Sequence, residues 1–175
     1  MFKNTILIVF FEKYMPGVSK KAGILLPSEQ ILLLMDLKQL NKDLEAIVLK
    51  KNELNALTYD HKDYDDVEEE LHDMEDDFLD AYGDQLEEVL DKVHEKIDAD
   101  NDVLLPIAYI GSYYKPAAKN ADGSLQFEIA EGQGVLVESG KFKNTDTWLI
   151  FLPNPLRLVL ATGKDKKLVV WGEGQ

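Results

Sequence analysis

The sequence predicts an α+β fold, a long antiparallel helical hairpin inserted in or appended to a small, mostly antiparallel β body. Three observations predict it. Residues 28–82 contain no glycine or proline. Across that stretch apolar residues recur on alternating three- and four-residue steps, the 3.5-residue period of packed, coiled-coil-like helices. From Val103 onward the pattern changes to short branched and aromatic runs separated by turn residues, the mark of strands.

The amino-terminal zone, 1–27, begins with Thr5-Ile6-Leu7-Ile8-Val9-Phe10-Phe11, cut off by Glu12 and Lys13. That run is far short of the ~20 apolar residues of a membrane span. It is expected to be a buried strand; a leader or anchor trimmed from the chain is the other reading. Cytoplasmic location is the default. A turn at Pro16-Gly17, a basic step at Lys20-Lys21 and a second short strand at Gly23–Pro27 complete the zone. Two strands are too few to stand alone, so they are expected to join the carboxy-terminal sheet.

The helical zone is 28–102. Ser28 is a candidate helix cap followed by Glu29 and Gln30. Leu33, Leu37, Leu40, Leu44, Ile47 and Leu54 form one seam, with Lys51 as its polar position; Leu57, Tyr64, Val67, Leu71, Met74, Phe78 and Ala81 form a second, shifted by one residue. The shift falls at Thr58-Tyr59-Asp60-His61, which predicts two helices, Glu29–Leu57 and Lys62–Tyr82. Gly83 is expected to interrupt the second, and Asp84 to cap a continuation carrying Leu86, Leu90, Val93 and Ile97. The broad apolar face at Ile31, Leu32, Leu34 and Met35 suggests packing on the β body or on a second copy, so a homodimer through the helices is one expectation.

In the carboxy-terminal zone, 103–175, strands are predicted at Val103–Ile110, Ser124–Ala130, Val135–Glu138, Thr147–Leu152, Leu156–Ala161 and Lys167–Trp171. Asn120–Gly123, Glu131–Gly134, Pro153–Pro155 and Gly163–Lys166 supply the turns. A small sheet, sandwich or partly closed barrel would follow.

Charge is distributed very unevenly. Residues 58–102 hold 20 acidic residues and 3 lysines, whereas the whole chain has a net charge of −14. Such a surface repels nucleic acid and anionic membrane, and favours a basic protein surface or a cation. Like charges four apart on a helix destabilise it by a few tenths of a kcal/mol per pair, so a purely solubilising face would be cheaper with lysines mixed in. The function this supports is non-catalytic: an interaction or assembly module presenting the acidic arm to a basic partner. Asp65, Asp66, Glu69, Asp73, Asp76 and Asp77 are the candidate contact residues. Tyr113 and Tyr114 join them, since adjacent tyrosines after Gly111-Ser112 read as an exposed loop and tyrosine is enriched at binding hot spots. Trp171 is a further candidate.

Divalent-cation binding is the alternative. Glu69 and His72 have the Glu-x-x-His spacing of helical di-metal sites, though the partner glutamates such centres need are not evident. Asp98, Asp100 and Asp102 open like a calcium loop, but Val103 stands where the turn needs glycine and Tyr109 where a bidentate glutamate is needed. A hydrolase using Glu128 or Glu138 is a third reading. With no cysteine in the chain, thiolate chemistry is excluded. No cofactor motif is present, and neither a phosphate loop nor a dinucleotide fingerprint occurs. Ser19–Pro27 resembles the mobile loop of GroES-type co-chaperonins over nine residues. It lacks that loop's second glycine, and a helical zone follows where the family continues into its barrel.

Overall fold

The computed structural model describes residues 35–142, 145–162 and 166–172. The predicted strands and loop of 1–27, the Ser28 cap and the Gly163–Lys166 turn lie wholly or largely outside them. The described residues form two α-helices and two antiparallel sheets, so the α+β class holds.

Helix α1 spans Leu37–Ala56. Its cap is Asp36, whose carboxylate accepts the backbone N–H groups of Lys38 (3.0 Å) and Gln39 (3.1 Å). That satisfies two of the donors a helix start leaves open. The helix therefore begins eight residues later than the Glu29 start read from the unbroken apolar repeat. Leu40, Leu44, Ile47 and Val48 are buried, whereas Leu37 remains 37 % exposed.

Helix α2 is continuous over Tyr64–Ile97, 34 residues. The predicted interruption at Gly83 does not occur: Gly83 is buried inside the helix. A run of buried residues on one side, from Val67, Leu71 and Phe78 through Leu86, Leu90, Val93 and Ile97, carries the helix across it. Tertiary packing outweighs the ~1 kcal/mol that glycine costs a helix interior. Asp98 ends the helix in the left-handed region (φ 57°), and the N–H of Ala99 returns to the carbonyl of His94 at 3.0 Å. This closing turn satisfies carbonyls left open at a helix end.

The two helices are antiparallel: Lys50 and Lys51, late in α1, meet Glu70 and Glu75 in the first half of α2, whereas Asp43, about two turns earlier in α1, meets Tyr82 further along α2. The helices do not stand apart from the β body. Buried residues of α1, α2 and the strands belong to one apolar cluster. The Asn41 and Asn52 side chains tie α1 to Asn154 and Tyr114.

After α2 the chain does not form the strand predicted at Val103–Ile110. It makes a short 3-10 turn at Pro106–Tyr109, where Pro106 suits the first turn of a helix and cannot donate to a sheet. Strand β1 (Tyr114–Lys119) pairs with β2 (Leu125–Ile129). β1, read as loop from the sequence, holds Pro116 and is exposed along all but its first residue, the setting in which a strand tolerates proline. The Asn120–Gly123 turn joins them as expected: Asn120 N–H donates to the Ser124 carbonyl at 2.8 Å. The second sheet runs β3-β4-β5-β6, with β3 Val135–Val137, β4 Thr147–Leu152, β5 Arg157–Thr162 and β6 Lys166–Gly172. Consecutive residues of β4 and β5 are buried, so these central strands are covered on both faces, as their near-continuous apolar runs require. Gly134 enters β3 at φ 95°, where an added Cβ would strike the Leu149 carbonyl. Among the described residues no helix is long and apolar enough to cross a membrane.

Candidate partner-binding surface

Helix α2 separates its residues by chemistry. Its apolar side faces the core, and Asp65, Asp66, Glu69, Asp73, Asp76 and Asp77 are all exposed on the remainder. None of the six lies within ion-pair distance of a described lysine, arginine or histidine. The carboxylates that do pair lie elsewhere on the helix or at its start. Glu70 meets Lys50 at 2.9 Å, Glu75 meets Lys51 at 2.5 Å, Asp63 meets Lys62 and Glu88 meets Lys92. Lysines of α1 thus neutralise the edge of α2 that faces α1. The Lys50 ammonium is held above its usual range by hydrogen bonds to Glu53 and Glu70. The outer ridge keeps its uncompensated charge. Asp65 and Asp66 occupy the first turn of α2, where the helix dipole favours negative charge; Asp73, Asp76 and Asp77 have no such compensation.

The two tyrosines part company. Tyr113 is half-buried, and its N–H donates to the Gln133 amide oxygen at 3.1 Å. Tyr114 is fully buried, contrary to the loop reading, because it starts β1. Its hydroxyl donates to the Phe151 carbonyl (2.9 Å) and accepts from Gly111 N–H (2.8 Å). Burial pushes this phenol strongly up. An added Cβ at Gly111 would press on Ile150 and Gln133, so a side chain there would crowd the closure around Tyr114. Trp171 is half-buried and stacks edge-on against Phe151 at 6.3 Å.

At the amino-terminal end of α2, where the helix corner meets the Gly111–Tyr113 loop, there is a cleft of about 320 Å³. Leu54, Leu57 and Leu71 supply its apolar surface, with Tyr64 and Ser112 also lining it. Beside it Tyr59 is 84 % exposed and packs edge-on against Tyr64 at 5.3 Å. The Tyr64 phenol is raised by burial and by the nearby Glu68 and Asp65 carboxylates. Sequence reading passed over this corner. The phase break between the two seams marks Tyr59 as a corner residue, but nothing in the sequence brings Ser112 to it.

Compared with protein-family models, curated proteins and solved structures, the chain has no significant match.

The residues proposed as cation ligands occupy several settings. Glu69 and His72 are exposed on α2. Asp98 is the helix cap, and Asp100 donates its N–H to the Glu138 carbonyl at 2.9 Å. Ala99 pairs with Ser139, so this stretch closes α2 onto the β body; Asp102 is exposed after it. Among the described residues no three His, Asp or Glu side chains converge as metal ligands. Glu128 and Glu138 are exposed. His94 is buried and fully engaged. Its Nδ1 faces the Asn101 carbonyl at 3.2 Å, which can only accept, so Nδ1 carries the proton. Nε2 then accepts from the Tyr109 hydroxyl at 3.0 Å, whose oxygen receives Leu104 N–H at 3.2 Å. This closed chain locks the end of α2 to the 3-10 turn, and burial raises the Tyr109 phenol.

Proposed function

We propose that the protein is a non-catalytic interaction module that offers the outer ridge of α2 to a basic protein surface. The observation that carries this reading is the row of six exposed carboxylates without a cationic neighbour among the described residues, on a helix whose other side is committed to the core. A helix so anchored displays its charges at fixed spacing, and a partner meeting it loses little in ordering it. In this reading α1 and α2 act as a coiled-coil-like antiparallel hairpin whose first arm braces the second. Most described apolar residues of both seams are drawn into the core of one chain, which leaves a charged outer face for contact.

Binding to a lysine-rich peptide, followed by fluorescence anisotropy, tests the proposal. Affinity should fall steeply as salt rises, since exposed charges are screened beyond ~10 Å at 0.1 M. Asp73→Lys with Asp77→Lys should weaken binding further while raising the melting temperature, because each lysine then pairs at three- or four-residue spacing with Glu69, Asp76 or Asp80 where like charges stood before. Binding unchanged by salt and by the double substitution would overturn the reading.

A further inference from the structure

We infer that the cleft at the α1–α2 corner receives an aliphatic side chain from the basic partner, so that the site recognises a lysine-rich segment interrupted by an apolar residue. The inference rests on the acidic-ridge reading and adds an anchor to it. Three leucines, Leu54, Leu57 and Leu71, give the cleft apolar surface, while two of the polar side chains lining it are already engaged. Lys51 is paired with Glu75. Ser112 donates its hydroxyl to Gln133 at 3.0 Å. Small polar ligands are held by a few convergent, available polar groups; here Lys51 and Ser112 are spent, Asn55 is exposed, and the three leucines supply most of the remaining surface.

The surroundings select the charge of whatever brings that side chain. Asp65 stands beside Tyr64 in the first turn of α2 and Glu68 follows one turn on, and neither lies within ion-pair distance of a described cation. An anionic or neutral segment would meet uncompensated carboxylates, whereas lysines on either side of an aliphatic residue would meet complementary charge. Exposed Tyr59 beside the cleft adds an aromatic face to which a lysine can also be drawn. Apolar anchors in a pocket surrounded by charged contacts are a recurring division of labour at interfaces: the anchor supplies affinity and the charges supply encounter rate.

The experiment uses the full chain and two fluorescent lysine-rich peptides of equal charge, one with a central leucine and one with serine in its place. The leucine peptide should bind about tenfold more tightly, the gain from covering one such side chain. Leu57→Ser, which removes apolar lining, should abolish the difference. So should Asn55→Trp, which fills the mouth from an exposed position without touching the core; circular dichroism and melting curves confirm that each variant is folded. Equal binding of the two peptides overturns the anchor while leaving the ridge. A leucine preference that survives both substitutions also overturns it. Absence of binding by either peptide at low salt removes the ridge, and the anchor with it.

Discussion

The side-chain amide of Asn52 closes both backbone groups of Tyr114. Its Oδ1 accepts Tyr114 N–H at 2.8 Å, and its Nδ2 donates to the Tyr114 carbonyl at 2.9 Å. A helix residue thereby takes the place that a neighbouring strand would occupy at the start of β1. The arrangement fixes the amide orientation, because a backbone N–H can only donate and a carbonyl can only accept. Asn52→Asp keeps the size and the acceptor but turns a donor into a second acceptor facing the carbonyl. It should cost about 2–3 kcal/mol, measured by urea denaturation. Asn52→Ala should cost less, since water can reach a partly buried pair. Equal losses for the two variants would show that the donor is not needed.

Gly83 offers a gain. It is buried in mid-helix, yet an added Cβ would meet nothing closer than Leu79 Cδ2 at 3.9 Å. Gly83→Ala should therefore stabilise the protein by about 0.5–1 kcal/mol through helix propensity alone, visible as a raised thermal midpoint. A lowered midpoint would mean that α2 must adjust its backbone at this position.

Tyr82 should report on alkaline pH. Its phenol is pushed up to about 12 by burial, with a further contribution from Asp43, whose carboxylate accepts its O–H at 2.6 Å. In the unfolded chain a tyrosine ionises near pH ~10. Between those values the folded protein holds a proton that the unfolded chain has released, so stability falls as pH rises through that window and is fully present below it. Tyr82→Phe should flatten this alkaline decline. Asp43→Asn should shift the tyrosine absorbance titration downward only in part, since burial is the larger cause.

The sheet was legible where burial on both faces left an unmistakable pattern. β4 matches the run Thr147–Leu152, and β5 and β6 lie within a residue of theirs. β1 was not legible, because Pro116 and its exposed alanines and lysines lack any apolar alternation. The strand is held from outside, by Asn52 and by β2. The end of α2 reads both as a helix-ending polar stretch and as an incomplete calcium loop, because the aspartates that close a helix and those that bind an ion look alike in sequence. Only the pairing of Ala99 with Ser139 separates them. The apolar repeat concealed the cap at Asp36 for the opposite reason: Leu33 and Leu37 keep the helical period on both sides of it. Of the candidate surface, the acidic ridge followed from charge and periodicity alone. The corner cleft did not, since it exists only where a loop some fifty residues downstream folds back against Leu57.

The joints between α1 and the β body are made of neutral amides. Asn41 donates to the Asn154 side chain at 2.7 Å and accepts its backbone N–H at 2.9 Å, and Asn154 in turn donates to the Leu125 carbonyl at 2.9 Å. Amide groups neither titrate nor attract counterions. Ionic strength can then dial the reach of the carboxylate ridge while these joints stay indifferent to it, which decouples the conditions that tune attraction from those that hold the scaffold's shape.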